Sequence, residues 1–162
     1  MQKIRRTIKK RRKEGRTDYK SRLSALKSDN PRLVIRKTNR YILAQMVKSE
    51  IAQDNVIISV SSKELIKFGW PSEKRGSLKN RMACYLTGLL LAKRSKDKKA
   101  NLDIGMQRNV HKGRIYSTLK GAIEGGMEIK FDEKALPDES YFEMEELKKA
   151  FEKIKEEIKK NG

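Results

Sequence analysis

The first half of the chain carries a hydrophobic pattern typical of β-strands. Residues 33–36 and 40–47 are two apolar-rich runs, and the short turn 37–39 between them predicts a β-hairpin. A third run, 55–60, follows the polar break 49–54. Three consecutive strands with short breaks predict an antiparallel meander.

The period of the pattern changes after residue 60. Ser61 or Ser62 is placed to cap a short helix that runs to Phe68 and ends at Gly69-Trp70-Pro71. The next segment, 72–79, is polar and basic and predicts a loop. Apolar residues then recur at helical spacing, which predicts a helix with one apolar face; they are Met82, Tyr85, Leu86, Leu89 and Leu90.

A short strand at 102–106 and a helix from Ile115 to the Gly125-Gly126 stop complete the central pattern. The element order is β-β-β-α-α-β-α. Residues 55–60, 80–95 and 102–106 are expected to form a right-handed parallel crossover. The expected fold class is therefore α/β, with a mixed sheet of three antiparallel strands and one parallel crossover strand flanked by helices.

The two ends of the chain differ from this centre. A short helix is expected at 17–27, with Thr17 or Asp18 as its cap. The tail predicts a helix over about 139–160 that docks on the chain's own body or on another protein, through Met144, Leu147, Phe151, Ile154 and Ile158. We expect three regions: a basic arm and first helix (1–30), a globular core (31–130) and an acidic tail (131–162).

Charge is concentrated at the N-terminus. The first forty residues hold sixteen Lys and Arg against three acids, and the whole chain carries +19 with a pI near 10.1. A core cannot absorb such a run, because each buried unpaired charge costs several kcal/mol. We therefore expect a polyanionic partner to neutralise this run, and nucleic acid is the first candidate. A membrane surface is disfavoured, since the arm offers only Ile4 and Ile8 as apolar anchors.

Candidate catalytic chemistry is sparse. The single cysteine, Cys84, excludes an internal disulfide and a Cys-based zinc site, and the single histidine, His111, excludes paired histidine ligands. Asp54, Asp103 and Glu124 are the carboxylates that a metal-dependent nuclease would use, although their spacing does not require it. We expect no metal, no cofactor and no membrane-spanning segment.

Three basic segments are candidate nucleic-acid contacts. The arm at 3–16 is expected to order on RNA or DNA. The hairpin turn 36–40 combines cations with Thr38 and Asn39, which suit phosphates, 2′-hydroxyls and base edges. The loop 108–114 precedes a helix N-terminus, where free backbone N–H groups favour phosphate.

Seven segments of characteristic sequence follow one another along the chain. They are Gly15-Arg-Thr-Asp-Tyr-Lys-Ser-Arg-Leu-Ser-Ala-Leu-Lys27, Asn30-Pro-Arg-Leu-Val-Ile-Arg-Lys-Thr-Asn-Arg-Tyr-Ile-Leu-Ala-Gln45, Phe68-Gly-Trp70, Tyr85-Leu-Thr-Gly-Leu-Leu-Leu91, Leu102-Asp-Ile-Gly105, Leu119-Lys-Gly-Ala-Ile-Glu-Gly-Gly-Met-Glu-Ile129 and Leu136-Pro-Asp138. In this order they resemble the archaeal branch of the large-subunit ribosomal protein L eighteen family. The bacterial branch lacks the Gly-Trp and Tyr-Leu-Thr-Gly phrases.

The resemblance implies a mixed α/β fold, no catalysis, and a cytoplasmic structural role in the large ribosomal subunit. The implied partners are 5S rRNA in the central protuberance, the large-subunit 23S-type rRNA and neighbouring ribosomal proteins; homo-oligomers are not expected. A nuclease and a general DNA- or RNA-binding protein are the alternatives. The candidate RNA contacts are Lys3, Arg5, Arg6, Lys9, Lys10, Arg11, Arg12, Lys13, Arg16, Tyr19, Arg22, Arg36, Lys37, Thr38, Asn39, Arg40, Arg108, His111, Lys112, Gly113 and Arg114.

Overall fold

A computed structural model of the chain describes residues 7–50, 53–142 and 145–161. Short 3-10 helices at Ser62–Phe68, Ser72–Ser77, Glu133–Ala135 and Glu139–Phe142 connect the main elements. The helices and strands are α1 (Lys10–Lys13), α2 (Tyr19–Leu26), β1 (Arg32–Lys37), β2 (Ile42–Glu50), β3 (Gln53–Ser61), α3 (Arg81–Arg94), β4 (Asn101–Asp103), α4 (Arg114–Glu124) and α5 (Glu145–Asn161).

The sheet has the strand order β3-β2-β1-β4. Strands β1, β2 and β3 form the antiparallel meander, and β4 runs parallel to β1, so the predicted fold class is confirmed. The chain therefore passes from one edge of the sheet to the other between β3 and β4. The right-handedness of this crossover stays a prediction, as does the division of the chain into three regions.

Strand β4 is shorter than the predicted 102–106. It ends at Asp103, whose side-chain Oδ1 accepts a hydrogen bond of 2.8 Å from the backbone N–H of Gly105. Gly105 has a φ of 62°, a left-handed conformation that turns the chain away from the sheet. The apolar residues after Asp103 therefore belong to a turn rather than to the strand.

The core lies between one face of the sheet and the helices α3 and α4. Leu33 and Ile35 of β1 and Ala44 and Met46 of β2 are fully buried on this face. Helix α3 is buried over residues 82–92, on every side, so the prediction of a single apolar face was wrong. This helix lies between the sheet, α4 and α5, which leaves only its two ends exposed.

Helices α3 and α4 pack with their backbones in contact. A Cβ atom added to Gly88 would lie 1.9 Å from the carbonyl oxygen of Thr118, and one added to Gly121 would lie 2.0 Å from that of Tyr85. Both glycines are therefore required by the closeness of the two helices.

The helix boundaries follow the predicted capping signals. Ser61 forms a capping box with Glu64, and Gly69 ends that 3-10 helix with a φ of 83°. Trp70, the residue after this glycine, is buried in the core. Asn80 caps α3, where its Oδ1 accepts a bond of 2.7 Å from the N–H of Ala83. The predicted loop 72–79 contains the 3-10 helix Ser72–Ser77.

The acidic tail docks on the chain's own body, as one of the two sequence interpretations expected. Leu147, Ile154 and Ile158 of α5 are buried. Phe151 packs against Tyr85 of α3, with ring centroids 5.4 Å apart. Met144 lies outside the described residues.

Helix α2 forms with Asp18 as its cap, but its apolar stripe does not pack into the core. Leu23 is 59% exposed, and no residue of the helix is buried. An ion pair between Arg22 and Asp54 of β3, 2.9 Å long, joins the helix to the sheet instead. Within the described residues, no helix combines the length and apolar character needed to cross a bilayer.

Candidate RNA-binding surface

The hairpin turn, the start of α3 and the loop before α4 meet at one cleft of about 420 Å³, called here the nucleotide cleft. Four elements contribute a cation each, and an apolar wall completes the lining. The lining residues are Lys37, Asn80, Arg81, Arg108, Val110, Gly113, Arg114, Ile115 and Tyr141.

Two helices begin at this cleft with an arginine as their first residue. These are Arg81 of α3 and Arg114 of α4, and neither helix has an acid in its first turn. The positive end of a helix dipole disfavours a cation there and favours an anion, by about 0.3–1 kcal/mol for each charge. A bound phosphate would reverse this unfavourable arrangement, because it would pair with the arginines and with free N–H groups.

The loop before α4 is held in shape by the acidic tail. Lys112 has a φ of 56°, and its backbone N–H donates to the carbonyl of Ala135 at 2.8 Å. Its Nζ pairs with Asp138 Oδ2 at 2.7 Å. The hydrogen bond and charge of Asp138 raise the pKa of Lys112, and those of Lys112 lower the pKa of Asp138. The tail therefore fixes the loop that leads into the nucleotide cleft.

The hairpin turn uses part of its predicted binding chemistry internally. The Thr38 hydroxyl donates to the carbonyl of Tyr41 at 2.7 Å and accepts from its N–H at 3.1 Å. Lys79 donates to the backbone carbonyl of Asn39 at 2.7 Å. The exposed groups of the turn are the side chains of Lys37, Asn39 and Arg40.

Arg36 is engaged with the sheet edge rather than extended towards solvent. Its Nη2 pairs with Asp103 Oδ1 at 2.9 Å, and its Nη1 donates to the backbone carbonyls of Ile35 and Asp103. The guanidinium of Arg36, a candidate phosphate contact, is therefore occupied by protein acceptors in this structure, although the side chain stays 37% exposed.

A second cleft of about 280 Å³ lies between the arm, α2 and the β4 edge. Arg11, Arg16, Arg22 and Arg36 contribute cations to it. Unlike the nucleotide cleft, it also has acidic walls, from Asp18 and Asp103. These carboxylates offset part of the positive charge that a phosphate would meet.

Arg32, which also lines this second cleft, forms ion pairs with two aspartates. Its side chain is 5% exposed, and its two terminal nitrogens pair with Asp103 and Asp54, each at 2.8 Å. Burial acts to raise the pKa of both carboxyls, but hydrogen bonds and the charges of the arginines outweigh it. The pKa of Asp54 and that of Asp103 are both lowered from 3.8.

The carboxylates considered for nuclease chemistry do not form one site. Asp54 and Asp103 are paired with arginines, whereas Glu124 lies against Tyr85 and Lys155. The described residues contain no group of three or more potential metal ligands. Burial raises the pKa of the Cys84 thiol to about 12, so this side chain is a neutral packing group of the core.

The structure divides the candidate RNA contacts between two clefts and the exposed surface. The nucleotide cleft is lined by Lys37, Arg108, Gly113 and Arg114, and the second cleft is lined by Arg11, Arg16, Arg22 and Arg36. Lys9 lies over the ring of Tyr19, with its Nζ 4.5 Å from the centroid. The side chains of Lys10, Arg12, Lys13, Arg40 and His111 are exposed outside both linings. Lys3, Arg5 and Arg6 lie outside the described residues.

Sequence reasoning missed five residues of the nucleotide cleft: Asn80, Arg81, Val110, Ile115 and Tyr141. A signal for two of them was present, because an arginine directly after an Asn cap is unfavourable for the helix itself. Tyr141 had no such signal. Its place in the cleft depends on the fold of the tail, where the guanidinium of Arg81 lies 4.6 Å from the ring centroid.

Comparison with known proteins gives the class. Residues 4–101 match the family described as ribosomal large subunit proteins 60S L5 and 50S L18. The chain is 40% identical to the large ribosomal subunit protein uL18 of Methanoregula boonei, over 93% of this chain and 86% of that protein. It is 42% identical to that of Korarchaeum cryptofilum (91% and 75%) and 38% identical to that of Aeropyrum pernix (91% and 69%).

Fold, surface and relatives thus define a structural protein of the large ribosomal subunit, of the archaeal type. Proteins of this class are not enzymes, so the nuclease alternative is set aside. The chain belongs to the uL18 family.

Proposed function

We propose that the chain binds 5S rRNA and helps to anchor it to the 23S-type rRNA in the central protuberance. The observation that carries this proposal is the convergence of Lys37, Arg81, Arg108 and Arg114 from four elements at one cleft. The family resemblance supports the choice of 5S rRNA. Neighbouring ribosomal proteins are further proposed partners.

In this mechanism the sheet and helices are a rigid platform, and the arm extends the contact along the RNA. The net charge of +19 draws the chain to phosphates, and each neutralised phosphate releases condensed counterions. The exposed arm residues Lys10, Arg12 and Lys13 make contacts that position the RNA without reading its sequence. The nucleotide cleft supplies the shape on which selectivity rests.

The decisive experiment is equilibrium binding to 5S rRNA at two salt concentrations, with transfer RNA as competitor. Tight binding that survives excess competitor is expected. Binding that the competitor removes, leaving only a steep salt dependence, would reduce the protein to a general polyanion binder. A preference for duplex DNA over 5S rRNA would contradict the proposal directly.

Helix α3 provides a matched pair of variants, Arg81→Gln and Lys93→Gln. Both side chains are exposed, and they lie at opposite ends of one helix, about 18 Å apart along its axis. Arg81→Gln should weaken 5S rRNA binding about tenfold and lower the salt slope by about one. Lys93→Gln should leave both unchanged. Equal effects of the two variants would show that general charge, rather than the nucleotide cleft, determines binding.

A further inference from the structure

We propose that the nucleotide cleft holds one unpaired nucleotide of the bound RNA, with its base against the apolar wall and its phosphate among the cations. This inference rests on the proposed RNA-binding function and deepens it. A surface that only follows the phosphates of a duplex needs cations, but it does not need a concave site with an apolar wall.

The apolar wall is suited to the face of a base. It consists of Val110, which is 53% exposed, the mostly buried Ile115, and the ring of Tyr141. Arg81 packs on Tyr141, and this cation–π contact orients the ring before RNA arrives. Unpaired bases are bound in this way, by stacking on aromatic rings and arginine planes.

Asn80 lines the same cleft and carries an unpaired hydrogen-bond donor. Its Oδ1 is used as the cap of α3, but its Nδ2 is buried and finds no hydrogen-bond partner within the described residues. Buried donors of native proteins are nearly always paired, so a ligand in the cleft is a candidate partner for this donor once the side chain turns towards it. A carbonyl oxygen or ring nitrogen on the edge of a base is an acceptor of the required kind.

The charges of the cleft match the remainder of a nucleotide. Lys37, Arg108 and Arg114 are available for its phosphate, and none of the described residues that line the cleft is acidic. The volume of about 420 Å³ lies within the range of small-ligand sites. The second cleft lacks this combination, because Asp18 and Asp103 stand in its walls.

The first test is photocrosslinking of the full chain to 5S rRNA that carries 5-iodouridine in place of uridine. A base stacked on a tyrosine ring crosslinks to it efficiently on irradiation, and peptide mapping should find Tyr141. Parallel transcripts with 4-thiouridine or with iodocytidine cover the case of a different geometry or base. Crosslinks confined to the arm and the second cleft in all transcripts would overturn the inference.

The second test compares an RNA hairpin containing one bulged nucleotide with the fully paired hairpin, both closed by a non-nucleotide linker so that no loop base is available, for each of the four nucleotides in turn. The wild-type chain should bind at least one bulged hairpin about tenfold more tightly than the paired one. Tyr141→Leu should remove this preference, whereas Tyr141→Phe, which keeps the ring, should retain it. Equal affinity of the wild-type chain for all hairpins would overturn the inference.

Two further variants separate reading of the base from attraction of the phosphate. Asn80→Ser keeps a good cap on α3 but removes the amide donor, so the preference for the bulge should fall while the fold is unchanged. Lys13→Gln, on the exposed arm outside the cleft, should weaken binding of bulged and paired hairpins by the same factor. A preference untouched by both Asn80→Ser and Tyr141→Leu would count against the site.

The outcomes also separate this inference from the proposed function. A chain that binds 5S rRNA selectively, with no bulge preference and no crosslink at Tyr141, keeps its function and loses the nucleotide site. A chain that prefers bulged hairpins through Tyr141 but ignores 5S rRNA keeps the site and loses the proposed partner.

Discussion

Replacing Gly88 by alanine should destabilise the protein, although alanine is the better helix former. The new Cβ would lie 1.9 Å from the carbonyl oxygen of Thr118, whereas carbon and oxygen in ordinary close contact are about 3.3 Å apart. This contact would be about 1.4 Å too short, so helices α3 and α4 must move apart to relieve it. The obstacle is backbone, so no side-chain rotation can relieve it.

The free energies can be compared directly. Alanine favours an isolated helix over glycine by about 1 kcal/mol. Overpacking a well-packed core costs about 1–3 kcal/mol, and a backbone obstacle belongs at or above the top of that range. The expected net loss is about 2 kcal/mol or more. For a chain of this length that lowers the melting temperature by roughly 4–8 °C.

Urea unfolding followed by circular dichroism measures this loss. Gly121→Ala should behave in the same way, because its Cβ would lie 2.0 Å from the carbonyl oxygen of Tyr85. Gly76→Ala is the control, since nothing lies within 4 Å of its added Cβ and its φ is not positive. It should be neutral or slightly stabilising. Gly88→Ala at wild-type stability would refute the close packing of α3 on α4.

Two other predictions concern the ion pairs. The lowered pKa values of Asp54 and Asp103 mean that their ion pairs contribute fully to stability above the ordinary carboxyl pKa of 3.8. This contribution is lost as the pH falls through the lower folded-state pKa values. The free energy of unfolding of Asp103→Asn should therefore fall less than that of the wild type between about pH 5 and pH 2.5, as measured by denaturant unfolding across that range. Parallel curves of unfolding free energy against pH for the two proteins would contradict this. Asp138→Asn should weaken 5S rRNA binding several-fold even though it removes a negative charge, because it frees Lys112 from its 2.7 Å contact. Filter binding measures this effect, with a substitution of the exposed tail residue Glu133, Glu133→Gln, as the control. The control variant should bind 5S rRNA as tightly as the wild type or more tightly. A gain in affinity for Asp138→Asn would argue against a role of Asp138 in positioning Lys112.

The strands and helices were predictable because their periods differ and their ends carry clear signals. The Ser61 cap and the Gly69 stop placed the two ends of the 3-10 helix Ser62–Phe68 to within one or two residues. The full burial of α3 was not predictable from its stripe. The other side of the helix is made of small or weakly polar residues such as Gly88 and Thr87. The Thr87 hydroxyl can be buried because it donates a hydrogen bond of 2.7 Å to the backbone carbonyl of Ala83.

The candidate sites could not be predicted in full, because they depend on contacts between residues far apart in the sequence, which hydrophobic periodicity does not indicate. Arg36 looked free in the sequence, yet its acceptor, Asp103, lies 67 residues further along the chain. Lys37 and Arg108 meet at one cleft because β4 pairs with β1 in parallel, as expected for loops at the same side of a sheet. Tyr141 reaches the same cleft only because of the path that the tail takes across the protein, and no local sequence pattern indicated that path.

The buried fork of Arg32 has a consequence for the sheet as a whole. Strands β3 and β4 form its opposite edges and share no backbone hydrogen bond, but the guanidinium binds Asp54 on one and Asp103 on the other. If either edge detached, a side chain that is 5% exposed would lose one of its two ion pairs and leave a terminal N–H group without its carboxylate acceptor. The two edges are thus coupled in free energy, and the sheet resists fraying as a single cooperative unit. Arginine suits this bridge better than lysine would, because its planar guanidinium presents two separate terminal nitrogens, one to each carboxylate.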